Sequence, residues 1–320
     1  MPATGGFNTQ LDADAVLTAI DAALYEEYDR ERQPDYLTVR SDMFFKQGSL
    51  SNIGFIWDEY SNVGNFRETG EQEEFTNTDV RIGNTTTKRS VKYAKQIPIS
   101  DEAFRADNKA LRAQIGNSIG DRARQSQDQI GILNSYGDAF AGSVNTTPDG
   151  AAPASNSHLT LTGVTVDNLE TAALAPDALW TTVQSLATQR AQDGEAGSHY
   201  FDGLIVPFNL YKTAKEVLDS ELIANGGENN INIFDTVYGQ VAVASSIFLT
   251  STYNSATNAA TSYHLVSRNH MWQRKVFYGM TTSLVPPEYS ANDTYILRAK
   301  FHEVVFPGSW TGYVGNNGSA

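Results

Sequence analysis

Five histidines, His158, His199, His264, His270 and His302, are the residues from which acid–base catalysis or metal binding would first be built. They are scattered rather than grouped, and the six-residue step from His264 to His270 suits no common ligand spacing. Asp12 and Asp14 form a carboxylate pair, but at the start of a helical pattern such acids satisfy free backbone N–H groups far more often than they hold a cation. The chain has 37 Asp and Glu, so a glycosidase-like acid pair has raw material, yet nothing singles one out. Neither a phosphate-binding GxxxxGK loop, a GxGxxG turn nor an HExxH helix occurs. No catalytic residue, cofactor site or metal site is assigned.

Composition narrows the rest. A formal charge of −14 disfavours direct wrapping of nucleic acid, which needs Lys and Arg to displace phosphate counterions. A protein that merely contains nucleic acid gains from not adhering to it. The absence of cysteine removes disulfides, thiolate catalysis and Cys-based zinc sites. Apolar runs such as GLIVPF and VAVASSIFL are far below membrane-spanning length. The stretch MPATGGFNTQ carries neither the basic region nor the apolar core of a signal peptide. The expectation is a soluble chain made inside the cell, with no membrane partner.

The elements that must position any site follow from periodicity. Residues 11–32 place Val16, Ile20, Leu24 and Tyr28 on one helical stripe, ended by Pro34. That stripe fits two readings: a helix packed on its own domain, or an N-terminal arm docked on another subunit. Residues 45–97 hold two strand-like runs, around GFIWDEYSNVGNFRE and TKRSVKYAKQIPI, which predict a long two-stranded ribbon. Its charges are segregated, with Glu68, Glu71, Glu73, Glu74 and Asp79 near the tip and Lys88, Arg89, Lys92 and Lys95 on the returning strand. A lone hairpin has too little core to stand free, so it needs a surface to lie on, and the tip prefers a basic one. Ser100, Asp101 and Glu102 then open a long helix that carries Phe104, Leu111, Ile115, Ile119, Ile130 and Leu133 at helical intervals. At 1.5 Å per residue it would span roughly 50 Å. Gly116, Gly120 and Gly131 weaken it, which makes it depend on packing. Beyond a small-residue loop at 141–157, helices and strands alternate, and TYILRAKFHEVVFP closes as a strand with one buried face. The fold class is α+β.

This order of elements resembles the major capsid proteins of tailed bacteriophages. The resemblance rests on an acidic N-terminal arm, the two-stranded loop, "KYAKQIPISDEA" leading into the helix, "FDGLIVPFNLYKTAKEVLDS" with "NIFDTVYGQVAVASSIFL", and the closing "TYILRAKFHEVVFPGSW". It covers roughly residues 40–310. It implies an N-terminal arm at 1–44, an extended loop at 45–97, a peripheral domain at 98–192 with the helix as its spine, an axial domain at 193–272, and a return to the peripheral domain at 273–320. It further implies self-assembly into hexamers and pentamers of an icosahedral head that encloses double-stranded DNA without sequence-specific binding. A portal and decoration proteins are further implied partners, and a separate scaffolding protein is expected because only about forty residues precede the loop.

On that reading Phe55, Ile56, Trp57, Tyr60 and Phe66 are the loop's anchors on a neighbour. Glu71, Glu73 and Glu74 are its tip charges, and Arg105, Arg112, Arg122 and Arg124 of the spine receive them. The region from Arg67 to Arg81 has no lysine, so the lysine–asparagine cross-link found in some of these proteins is not expected. An encapsulin-like compartment subunit, which shares the fold, is the alternative, with a carbohydrate-binding or carbohydrate-active protein behind it.

Overall fold

The computed structural model describes residues 9–30, 35–61, 80–100, 109–220, 232–238, 241–256, 258–270, 272–286, 289 and 294–319. The apolar stripe near the N-terminus folds as helix α1 (Thr9–Asp29), and the long helix is α2 (Lys109–Asn134), about 39 Å of it described. Of the two readings of α1, packing within the chain is the one observed: Ile20, Leu24 and Tyr28 are buried in one cluster with Ile119 of α2. The glycines of α2 are what allows this approach. A Cβ on Gly116 would lie 2.5 Å from the Ile20 carbonyl oxygen, one on Gly120 would press on that of Leu24, and one on Gly131 would strike Val39. These positions lower helix propensity and in exchange let two backbones touch.

Both helices lie on one face of a four-stranded sheet ordered β1-β11-β12-β4, made of β1 (Lys46–Ser49), β11 (Trp272–Val285), β12 (Thr294–Pro307) and β4 (Val91–Ser100). The period-2 pattern of β12 sets the faces: Tyr295, Leu297, Ala299 and Phe301 are buried against the helices, while Arg298 is exposed and Lys300 half-exposed on the other side. Here the ribbon departs from expectation. Among the described residues β2 (Gly54–Tyr60) and β3 (Ile82–Arg89) form it, in antiparallel register from Gly54↔Arg89 to Tyr60↔Ile82. After a single residue, Ser90, the returning strand becomes β4 and pairs with β12 from Glu303↔Val91 to Thr294↔Ser100. The strand therefore passes Pro98, and Ser100 ends it; residues 101–108, with the expected helix start and Phe104, lie outside the described residues.

A second sheet of five strands is ordered β7-β13-β10-β8-β9, with β7 (Leu169–Glu170), β8 (Gly203–Pro207), β9 (Ala242–Ser246), β10 (Tyr263–Val266) and β13 (Tyr313–Asn316). One of its faces is covered by α3 (Pro176–Thr188), α4 (Tyr211–Asp219) and α5 (Ile233–Tyr238) through Leu179, Val183, Leu186, Ala214, Leu218 and Phe234. The other face packs on the end of α2 and on the segment after α1, with Leu37, Val39, Phe44, Phe45, Ile132, Tyr136 and Trp272. A small pair, β5 (His158–Leu159) with β6 (Thr165–Val166), completes the strands among the described residues. The C-terminal return is shared between the sheets, since β11 and β12 complete the first and β13 joins the second.

Candidate interaction surfaces

Each described histidine either serves the fold or stands alone. His158 and Asp149 form a buried pair at 2.8 Å, and His158 stacks on Trp310. Burial pushes the Asp149 carboxyl up, but hydrogen bonds from His158, Thr147 and the Ala151 N–H outweigh it and hold the group below its ordinary range. The second ring nitrogen of His158 faces the Pro153 carbonyl, so the pair has no nitrogen left for a nucleophile. His264 meets the Tyr313 hydroxyl at 2.8 Å, and burial lowers it to about 3. His270 accepts the Trp272 N–H at Nδ1 and donates from Nε2 to Met43, and burial lowers it to about 4. His302 Nε2 lies 3.0 Å from the Ser90 carbonyl. Among the described residues no group of three or more His, Asp or Glu could hold a metal ion. A GxSxG spacing does occur at Gly116–Gly120, but it has a packing role: it lies mid-helix rather than at the strand-to-helix turn the nucleophile chemistry needs.

What remains is surface. On β2 the expected anchors divide by face. Phe55 and Trp57 turn inward onto Phe306, their rings 5.5 and 5.3 Å from its centre, and Trp57 Nε1 donates to the Gly308 carbonyl at 2.9 Å. A Cβ on Gly308 would lie 2.8 Å from the Trp57 ring, so glycine makes the seat. These two side chains fasten the hairpin to its own chain. Ile56 and Tyr60 face outward at 66% and 57% exposure on either side of Asp58, and Ile82, 64% exposed, pairs with Tyr60. Phe66 and the tip acids Glu71, Glu73 and Glu74 lie outside the described residues.

Beneath the hairpin is a cavity of about 730 Å³, lined by Trp57, Glu59, Gln192, His199 and Ser309 among others. Glu59 is 4% exposed; its Oε1 accepts from Gln192 Nε2, and burial raises its carboxyl above the usual range. This buried polar contact joins residues 133 apart in the chain, and only the side-chain types, not their pairing, were visible beforehand.

The spine arginines require a correction. Arg124, read as an outward receiver, is 5% exposed and donates to the carbonyls of Tyr28 and Arg30, closing the C-terminal end of α1. A long guanidinium one turn away finds orphan helix carbonyls before it finds solvent. Arg122 is exposed and bonds Gln125 within its own helix. Arg105 and the side chain of Arg112 lie outside the described residues. The buried polar centre of this region is instead Glu303, held by Arg274 at 2.6 and 3.0 Å and approached by Gln127, which also takes the hydroxyl of Tyr28. Burial raises the Glu303 carboxyl even against the Arg274 charge.

Three comparisons bear on this arrangement. A family model described as phage capsid protein matches residues 83–315. No curated protein matches the chain by sequence. Among solved structures, the capsid of Ralstonia phage GP4 is similar with a TM-score of 0.57 at 10% identity, covering 88% of this chain and 89% of that one. The capsid of Cyanophage P-SCSP1u gives 0.54 at 10% identity with 90% of each chain covered. The virus-like particle from Pyrococcus furiosus gives 0.53 at 10% identity over 93% of this chain and 98% of that one. These likenesses establish the capsid fold.

Proposed function

The chain belongs to the phage capsid protein family, and from that premise we propose that copies of it assemble into the hexamers and pentamers of an icosahedral head that encloses double-stranded DNA without reading its sequence. It is a structural protein, a component of the virion capsid, and it works by contact alone: no catalysis is part of the role. Residues 1–44 act as the N-terminal arm, 45–97 as the extended loop, 98–192 with 273–320 as the peripheral domain, and 193–272 as the axial domain. Assembly takes place in the host cytoplasm, with a portal, a separate scaffolding protein and decoration proteins as further partners.

The observation that carries this reading is the outward exposure of the large apolar side chains Ile56, Tyr60 and Ile82 on a hairpin fastened by Phe55 and Trp57. A two-stranded ribbon with one face bare gains stability only when another surface covers that face. Permanent assemblies bury about 2,000–5,000 Å² per interface, more than one hairpin face supplies, so the loop is one contact among several repeated by symmetry. Electron microscopy of the purified protein, coexpressed with its neighbouring gene products, tests the reading: closed shells are expected. A chain lacking residues 66–82 should yield fewer or weaker shells, and unchanged yield and stability would refute the clamp.

A further inference from the structure

The cavity of about 730 Å³ beneath the hairpin is walled mainly by three segments distant in sequence: β2, residues 191–199, and residues 308–311 before β13. Four acids line it, Asp58, Glu59, Asp193 and Glu195, and no Lys or Arg is among its lining residues. Acids alone do not make a site; the buried polar atoms beside them do. Glu59 and Gln192 are 4% and 5% exposed. Gln192 Nε2 donates to Glu59 Oε1, yet neither Glu59 Oε2 nor Gln192 Oε1 has a hydrogen-bond partner among the described residues. Burial holds the Glu59 carboxyl above its usual range, against the pull of the Ser309 and Asn84 side chains. His199 sits against Gly197, where a Cβ would lie 2.4 Å from its Nε2, and both its ring nitrogens are likewise without a partner among the described residues. Burial lowers its pKa, so near neutral pH the ring is uncharged and one of its nitrogens is an acceptor. The walls thus offer three unmatched acceptors against one unmatched donor.

Buried acceptors left unmatched are costly, so such an arrangement is completed by a donor. A metal ion fits poorly, because among the described residues no three His, Asp or Glu converge closely enough to hold one. An alkylammonium fits, with three donors, no acceptor and a positive charge. The volume lies in the range of small-molecule sites and exceeds what one ammonium fills. The acids also grade from buried Glu59 through half-buried Asp58 and Asp193 to exposed Glu195, so a second cation on the same molecule would meet acid nearer the rim. We infer that this cavity binds a free alkyldiamine, one ammonium at Glu59 and Gln192 and the other among Asp58, Asp193 and Glu195. Its walls come from the hairpin and from the body on which the hairpin lies, so an occupied site ties the two together. The inference concerns a single subunit and stands apart from the assembly reading.

The test is isothermal titration calorimetry of the full-length chain with putrescine. At about 150 mM NaCl one saturable site is expected, with a Kd of about 1 mM or below. Butylamine, with a single ammonium, should bind about tenfold more weakly. Tetramethylammonium, which keeps the charge and has no N–H, should not compete. Glu59→Gln should weaken putrescine about tenfold or more, while Glu216→Gln on the exposed side of α4 leaves it unchanged. Should Glu59→Gln fail to fold, the pair Asp193→Asn with Glu195→Gln takes its place: putrescine should weaken toward butylamine, and butylamine itself should bind as before. No saturable binding by wild type, full competition by tetramethylammonium, or wild-type affinity in the folded Glu59→Gln chain overturns the inference and leaves these acceptors to water. Loss of self-association in Glu59→Gln, with no putrescine bound by wild type, also overturns it and assigns the cavity to a lysine of a second copy.

Discussion

The two faces of the four-stranded sheet are built from the same strands and do opposite things. Toward the helices, alternate residues of β12 are buried with α1 and α2, and the backbones meet at Gly116 and Gly120. On the far side, Arg298 and Lys300 of the same strand join Lys92 in an open cleft. One face is closed by apolar packing and a paired charge, while the charges of the other enter no ion pair among the described residues. The difference teaches that stability and surface charge are written on alternate residues, so they can be altered separately.

The largest effect is expected at the inner face's buried charge. Arg274→Ala leaves Glu303 buried without its partner and should cost about 3–5 kcal/mol in urea unfolding, provided the carboxylate stays ionised. A much smaller loss would show that Glu303 takes up a proton instead, which a shifted pH profile of the variant would reveal. Gly120→Val comes next, since its side chain would force α1 off α2. About 3 kcal/mol is expected from overpacking against backbone, and no loss would break the claim that the glycines set the helix approach.

Acid should also separate the interior from the open cleft. His264 and His270 titrate at about 3 and about 4 in the fold and near 6.5 once unfolded, so the unfolded chain binds more protons between those values. Their contribution is present above about pH 6.5 and is lost as pH falls, with a slope up to about 2.7 kcal/mol per pH unit for the two together. Glu59 and Glu303, both raised, act in the opposite sense: the fold holds their protons longer, and their contribution falls as pH rises through the raised values. A denaturation midpoint that declines from pH 6.5 toward 4, less steeply than the histidines alone dictate, is the expected outcome. The smallest effect belongs to the outer face. Lys92→Glu should change subunit stability by no more than about 0.5 kcal/mol, and a larger loss would show that this face supports the fold after all.

Much of the inner face was legible in advance. The stripe of Ile20, Leu24 and Tyr28 and the alternation of β12 are local patterns, and local patterns survive folding. What escaped was pairing at a distance. The run VKYAKQIPIS reads equally well as half of a hairpin or as a sheet edge, and only its partner β12, some two hundred residues later, decides. Arg124 was read as solvated because nothing in its neighbourhood reveals the carbonyls of Tyr28 and Arg30. The division of Phe55 and Trp57 from Ile56 and Tyr60 was implicit in period 2, but which pair faces inward depends on Phe306 and Gly308. The convergence of Lys92 with Arg298 and Lys300 likewise needed the register of two strands far apart in sequence.

The position of β4 at the rim of its sheet bears on life before assembly. A rim strand offers unpaired backbone groups to any passing chain, and a protein made in bulk meets many copies of itself. Lys92, Lys95 and Pro98 stand along that rim, residue types that discourage edge-to-edge fusion of sheets. At the opposite rim β1 is only four residues long, too short to template a fibre. Ordered growth by designated contacts can thus proceed at concentrations where a bare strand would seed aggregates.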